Sequence, residues 1–168
     1  MKNISAFVFM LFPVLGALFF LQSEPVAAKT KKTLELPRYV TIVSGEANLR
    51  SGPGLVYEKK WLYVRRNIPV KVIGEYEEWR KIQDYDGEEG WMHRSMLSNK
   101  RTVLVTGKVR VMRRHPSSDA APVARVEAGV NAKLLECTPD YCRIQVDNYK
   151  GWVNRRHIWG IKNTEWMQ

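Results

Sequence analysis

The sequence predicts an all-β protein: two tandem small barrels of about five short strands each, behind an N-terminal export signal. Three observations predict it. A block of residues recurs at an offset of about 60. Each copy alternates apolar and polar residues between Gly- and Pro-marked turns, with no convincing helix. An uncharged apolar run occupies the N-terminus.

The repeat is the strongest of the three. Glu78-Trp79-Arg80-Lys81-Ile82-Gln83, then Gly90-Trp91-Met92-His93-Arg94-Ser95-Met96-Leu97, recurs as Asp140-Tyr141-Cys142-Arg143-Ile144-Gln145, then Gly151-Trp152-Val153-Asn154-Arg155-Arg156-His157-Ile158. Tyr141 follows Trp79 by 62 residues and Trp152 follows Trp91 by 61, so one residue is lost from the intervening turn. A fixed offset held across two blocks marks a duplicated structural unit. Each copy reads as a β-hairpin followed by one tight helical turn.

In chain order, residues 1–28 read as a signal peptide. Lys2 gives the positive start, Ala6 to Leu21 is uncharged, and Val26-Ala27-Ala28 offers small residues for cleavage after Ala28. The run is shorter than the roughly 20 residues a membrane span requires, which argues against a retained anchor. Residues 29–38 are a lysine-rich flexible lead-in. The first barrel spans 39–101. Tyr39-Val40-Thr41-Ile42-Val43 is β-branched and aromatic, a strand. Gly52-Pro53-Gly54 demands a turn, and Tyr57 lies in the loop beyond it. Lys60 to Val64 and Val70 to Ile73 are further strands, leading to the Trp79 hairpin.

The second barrel spans 102–160 with almost no linker, so the two copies are expected to hold a fixed orientation. Thr102 to Thr106 is expected to serve both barrels. Val111 to Pro116 takes the place of Asn48 to Pro53. Val123-Ala124-Arg125-Val126 is matched to Trp61-Leu62-Tyr63-Val64 at offset 62, and Ala132 to Leu135 to Val70 to Ile73. Residues 161–168 form a tail with no counterpart.

Asn48-Leu49-Arg50-Ser51-Gly52-Pro53-Gly54, Trp79-Arg80-Lys81-Ile82 and Gly90-Trp91-Met92 together resemble the bacterial SH3 (SH3b) domain pattern in order and spacing. The second copy resembles it less fully: it keeps Met112-Arg113, Pro116, Tyr141 to Ile144 and Gly151-Trp152-Val153, but has Arg114-His115 in place of Ser51-Gly52. The whole chain looks like an exported tandem SH3b protein of the kind found in Gram-negative bacteria. The resemblance implies two SH3-like five-stranded small barrels, each with a long loop after its first strand and a tight helical turn before its last. It also implies a binding module for peptidoglycan or its peptide stems.

Cys137 and Cys142 flank a turn between two expected strands. In an exported protein they read as a structural disulfide. Four intervening residues do not suit a redox pair, and no further Cys or paired His completes a zinc site. The first copy lacks the pair, which Trp79 in place of Tyr141 is expected to offset by filling more core. His93, His115 and His157 are scattered and read as surface residues. Asp84, Asp86, Glu88 and Glu89 lack the ligand spacing of a calcium loop and read as a solvated turn. The sequence thus indicates no catalytic residues, no metal and no cofactor.

Trp79, Ile82, Tyr141 and Ile144 are assigned to the core. Trp91 and Trp152 suit core or groove equally; Tyr57, in the loop, suits a groove. Trp159 is a candidate cap on its barrel. The chain carries 27 basic and 17 acidic residues, net +10. Basic loops of this kind attract polyanions, and export turns that expectation from nucleic acid to envelope polymers. The candidate contact residues are Arg50, Tyr57 and Trp91 in copy one and Arg113, Trp152 and Arg155 in copy two. The expected partner is cell-wall peptidoglycan in the periplasm or outside the cell. The alternatives are a scaffold recognising a peptide of an envelope protein, and an accessory wall enzyme acting through Cys142 or His157.

Overall fold

The computed structural model describes residues 34–162. The expected signal peptide, the lead-in up to Thr33 and the tail beyond Lys162 lie outside the described residues. Within them, no helix is long and apolar enough to cross a membrane.

Two seven-stranded antiparallel sheets follow one another along the chain. The first contains β1 (Arg38–Ile42), β2 (Ala47–Arg50), β3 (Lys59–Tyr63), β4 (Ile68–Tyr76), β5 (Trp79–Gln83), β6 (Glu89–His93) and β7 (Leu97–Ser98). Its spatial order is β3-β2-β6-β5-β4-β1-β7. The second contains β8 (Thr102–Val105), β9 (Arg110–Arg113), β10 (Pro122–Val126), β11 (Asn131–Cys137), β12 (Tyr141–Val146), β13 (Tyr149–Asn154) and β14 (Ile158–Trp159), and repeats that order strand for strand. The expected strands are present in each copy, joined by the short β2 and β7 and their counterparts. A single 3-10 turn precedes the last strand of each sheet, at Arg94–Met96 and Arg155–His157.

Each sheet encloses its own core. Ile42, Leu49, Val70, Val72, Ile82 and Met92 are fully buried in the first. Val103, Val105, Met112, Ile144 and Val153 fill the second. The alternation that supplies them is visible in β6, where Gly90 and Met92 face inward while Trp91 and His93 face out.

Gly90 and Gly151 explain the recurring Gly-Trp pair. A Cβ at Gly90 would come within 2.6 Å of Leu49 Cγ and 2.8 Å of the Arg50 carbonyl oxygen; at Gly151 it would meet Met112 Cβ at 2.9 Å. Here β6 (or β13) crosses against β2 (or β9), and only a residue without a side chain lets the two strands approach so closely.

Several sequence expectations need correction. Thr102–Val105 pairs only with β11 and β14, so it belongs to the second sheet alone; β7 supplies the last strand of the first. The β3 and β10 strands correspond at offset 63, not 62. Tyr63 pairs with Ala47 and Val126 with Arg110, and both are buried strand ends. A one-residue slip exchanges the two faces of a strand; the offset-62 match equates the buried Tyr63 with the exposed Arg125 instead of the buried Val126. Trp79 and Ile82 lie three residues apart and therefore on opposite faces of β5. Both are buried: Ile82 lies in the main core cluster, while Trp79 is covered on the other face of β5, edge-on to His93 with 5.4 Å between ring centres.

Trp159, at the end of the last strand of its barrel, also reaches across to the first. Its ring lies edge-on to Tyr39 at 5.2 Å and to Tyr85 at 5.8 Å, both from the first half of the chain. Alongside this, the buried hydroxyls of Thr41 and Thr102 share a 2.8 Å hydrogen bond. The Arg101 guanidinium stands 6.0 Å over the Tyr39 ring and donates to the Gly160 carbonyl at 2.7 Å. These contacts form a seam between the two barrels.

Candidate binding grooves on the outer faces

In each barrel the second hairpin leaves one tryptophan, Trp91 or Trp152, partly exposed beside the long loop. Register fixes this. Lys81 pairs with Trp91 and Trp79 with His93, so these four share the outer face of β5 and β6. In the second barrel Arg143 pairs with Trp152 and Tyr141 with Asn154. Trp91 also pairs with Arg50, and Trp152 with Arg113, which brings the loop base against each tryptophan.

The two loops are built on one plan. Arg50 donates through Nη1 to the carbonyls of Leu55 at 3.0 Å and Tyr57 at 2.7 Å. Arg113 donates through Nη1 to the Ala120 carbonyl at 2.6 Å. The Ser51 amide donates to the Glu58 carbonyl, and the Arg114 amide to that of Ala121, both at 3.0 Å. Both candidate arginines thus hold their own loops closed, a role that sequence alone did not suggest.

What fills the loops differs. A Cβ at Gly52 would fall 2.3 Å from the Tyr57 ring, and one at Gly54 3.2 Å from it. The two glycines are a slot for an aromatic ring, which leaves Tyr57 seated but still exposed. By the hydrogen-bond register, His115, Ser117 and Ala120 occupy the places of Gly52, Gly54 and Tyr57. Slot and ring are absent together from the second loop.

The second barrel instead has a cleft of about 350 Å³ whose walls include Arg110, Arg113, Tyr141, Trp152, Asn154 and His157. Burial holds the His157 imidazole below its ordinary pKa, and the charges of Arg110 and Lys108 push the same way. The ring is therefore neutral near pH 7, and the cleft takes its charge from its arginines. Asn154 caps the 3-10 turn by accepting from the Arg156 amide at 3.0 Å, as His93 does from Ser95 in the first barrel.

Of the sequence candidates, Arg113 and Trp152 meet in this cleft. Arg155 lines a neighbouring one of about 510 Å³ with Tyr39, Asp140, Asn154, Arg156 and Trp159. Its guanidinium donates to the carbonyls of Thr138 at 3.0 Å and Lys162 at 2.7 Å. Asn154 lines both clefts, so the two adjoin. Tyr141, Arg110 and His157 were missed as groove residues. For Tyr141 the signal was present: two-residue periodicity sets it opposite Ile144.

The acidic turn is engaged internally. Asp84 accepts from the Tyr63 hydroxyl at 2.8 Å and the Glu88 amide at 2.9 Å. Burial and this bond to Asp84 push the Tyr63 phenol far above its ordinary range. Glu88 pairs with Lys60, and Glu89 with Lys81 at 2.9 Å. The Lys81 bond also lowers the Glu89 pKa. Cys137 and Cys142 form a disulfide between directly paired residues of β11 and β12.

The chain is similar to several known proteins. The chain is 25% identical over 128 residues to YrvJ of Bacillus subtilis (strain 168), a protein named as an N-acetylmuramoyl-L-alanine amidase. The match takes in 70% of this chain but only 24% of that protein, so the chain spans about a quarter of its relative's length. Among solved structures, NlpC2 from Trichomonas vaginalis aligns over 76% of this chain and 49% of its own, with 13% identity and a TM-score of 0.34. An NlpC/P60 family protein from Bacillus cereus ATCC 10987 aligns over 72% and 55%, with 15% identity and a TM-score of 0.33. The model of the bacterial SH3 domain matches twice, at residues 43–99 and 107–160, and the chain belongs to that family.

Proposed function

We propose that this protein is an exported cell-wall docking module without a catalytic role of its own, and that its ligand is peptidoglycan or the peptide stems of peptidoglycan. The observation that carries the reading is the Trp152 cleft, where two aromatic rings and two arginines surround a volume suited to a short peptide or sugar. Partly exposed aromatics and arginines are the usual anchors of recognition surfaces. The first barrel offers Trp91 and Tyr57 on the corresponding face. The net charge of +10 favours an anionic polymer. Membership of the bacterial SH3 family, and a relative whose name specifies N-acetylmuramoyl-L-alanine, support the ligand class. On this reading the protein works in the periplasm or outside the cell, where the disulfide is stable.

The test is sedimentation of the exported protein with purified peptidoglycan sacculi across a salt series. The expected result is binding that falls as salt rises and is weakened about tenfold by Trp152→Ala. The tryptophan is the better probe, because removing Arg113 or Arg155 also releases a loop. Absence of binding at every salt concentration would overturn the proposal.

A further inference from the structure

The edge of the first sheet carries an apolar surface that runs from Tyr57 of the groove to Trp61, Leu62 and Val64, which the grooves do not use. Strand β3 ends its sheet, pairing only with β2 among the described residues. Trp61 is 58% exposed, Leu62 46% and Val64 65%. Leu55, Val56 and Tyr57 of the adjoining loop are exposed too, so six of the thirteen exposed large apolar side chains among the described residues fall within ten residues of sequence. An apolar edge strand with free backbone groups is a template for a further strand, and folded proteins normally blunt it.

The second barrel is blunted in this way. At the same register β10 has Ala124 for Trp61 and Arg125 for Leu62, and Glu127 follows in place of Val64. Pro122 opens the strand and removes a backbone donor. The fold therefore does not require an apolar edge here; the first copy retains one on its own account.

Charge selects the occupant. Glu58 to Arg66 contains Lys59, Lys60, Arg65 and Arg66 against the single acid Glu58, and Lys59, Arg65 and Arg66 are exposed. Lys60 is matched by Glu88 of its own barrel. Two copies meeting at this edge would bring like charges together in a chain already at +10. We infer that β3 accepts an extended peptide by strand addition, with apolar residues over Trp61 and Leu62 and acidic residues at either end. This surface is separate from the Trp152 cleft, and the inference does not depend on the peptidoglycan reading.

The experiment uses the full chain and two synthetic valine-rich peptides, apolar on both faces, one flanked by glutamate pairs and one by lysine pairs. Calorimetry reads affinity, and hydrogen exchange reads protection of the 59–64 amides. The glutamate-flanked peptide should bind saturably, protect that strand, and bind at least about tenfold more tightly than its lysine counterpart. Trp61→Ser with Leu62→Ser should weaken binding about tenfold without changing thermal unfolding, since both side chains are exposed. Arg65→Gln with Arg66→Gln should weaken it and flatten its salt dependence. Equal binding of the two peptides, binding indifferent to the Trp61 and Leu62 changes, or concentration-dependent self-association through this edge would each overturn the inference. Sacculus binding by the Trp61 and Leu62 variant should be unchanged, which separates this failure from that of the grooves.

Discussion

Glu75 and Arg80 stand directly opposite each other across β4 and β5, at the register that Cys137 and Cys142 occupy across β11 and β12. The Arg80 Nε lies 3.1 Å from the Glu75 carboxylate, which also pairs with Arg38. Arg80 adds bonds to the carbonyls of Glu77 at 2.8 Å and Trp79 at 2.9 Å. The duplicated hairpin is thus fastened ionically in one barrel and covalently in the other. This ion pair, beside the buried Trp79, is what the first barrel has in place of the disulfide.

Reduction should therefore affect the barrels unequally. Closing so short a loop contributes about 2 kcal/mol. A reductant should lower the stability of the second barrel by roughly that amount, seen as earlier loss of hydrogen-exchange protection in β11 and β12 while β4 and β5 hold. Glu75→Gln should do the converse. It leaves the largely buried Arg80 without its carboxylate and should cost about 2–3 kcal/mol in the first barrel. Replacing both Glu75 and Arg80 by Cys should yield a second disulfide, scored by the absence of free thiols after air oxidation.

Gly52→Ala tests the Tyr57 slot. The new methyl group cannot share space with the ring, so Tyr57 must leave. Ligand affinity of the first barrel should fall as far as in Tyr57→Ala, and the double variant should be no worse than either single change. Additive losses in calorimetry would show that the glycine serves another purpose.

Gly90→Ala and Gly151→Ala should both destabilise, through collision with the crossing strand. Gly90 should suffer more, because its nearest contacts are closer. A loss of about 2–3 kcal/mol is expected for Gly90, read from the urea midpoint.

His157 gives a pH dependence of definite sign. Its folded pKa lies below the ordinary 6.5. As pH falls through about 6.5, the unfolded chain takes up a proton that the native chain does not, so stability declines until the folded pKa is passed. His157→Gln should flatten the urea midpoint between about pH 7 and pH 5. An unchanged slope would mean that the ring is solvated in the folded state.

Much of the fold was legible because duplication writes each pattern twice. The Gly-Trp pair, the alternation of Arg80 and Ile82, and the basic 3-10 turn each recur with the same meaning. Three things were not legible. The shift from offset 63 to 62 falls in the turn after Tyr63, where no pattern marks a deletion. The roles of Arg50, Arg113 and Arg155 depend on backbone carbonyls brought near by folding, which side-chain identity does not reveal. The equivalence of Glu75–Arg80 with Cys137–Cys142 joins chemically unlike pairs and emerges only from strand register.

The seam made by Thr41, Thr102, Tyr39 and Trp159 bears on avidity. Two sites joined by a flexible tether can each find a ligand wherever it lies, whereas sites locked by a packed seam gain from a polymeric ligand only when its repeat matches their spacing. On the proposed docking reading, a chain built this way measures the distance between the epitopes it holds. Loosening the seam, for instance by Trp159→Ala, should broaden the range of repeats it tolerates while lowering its best affinity.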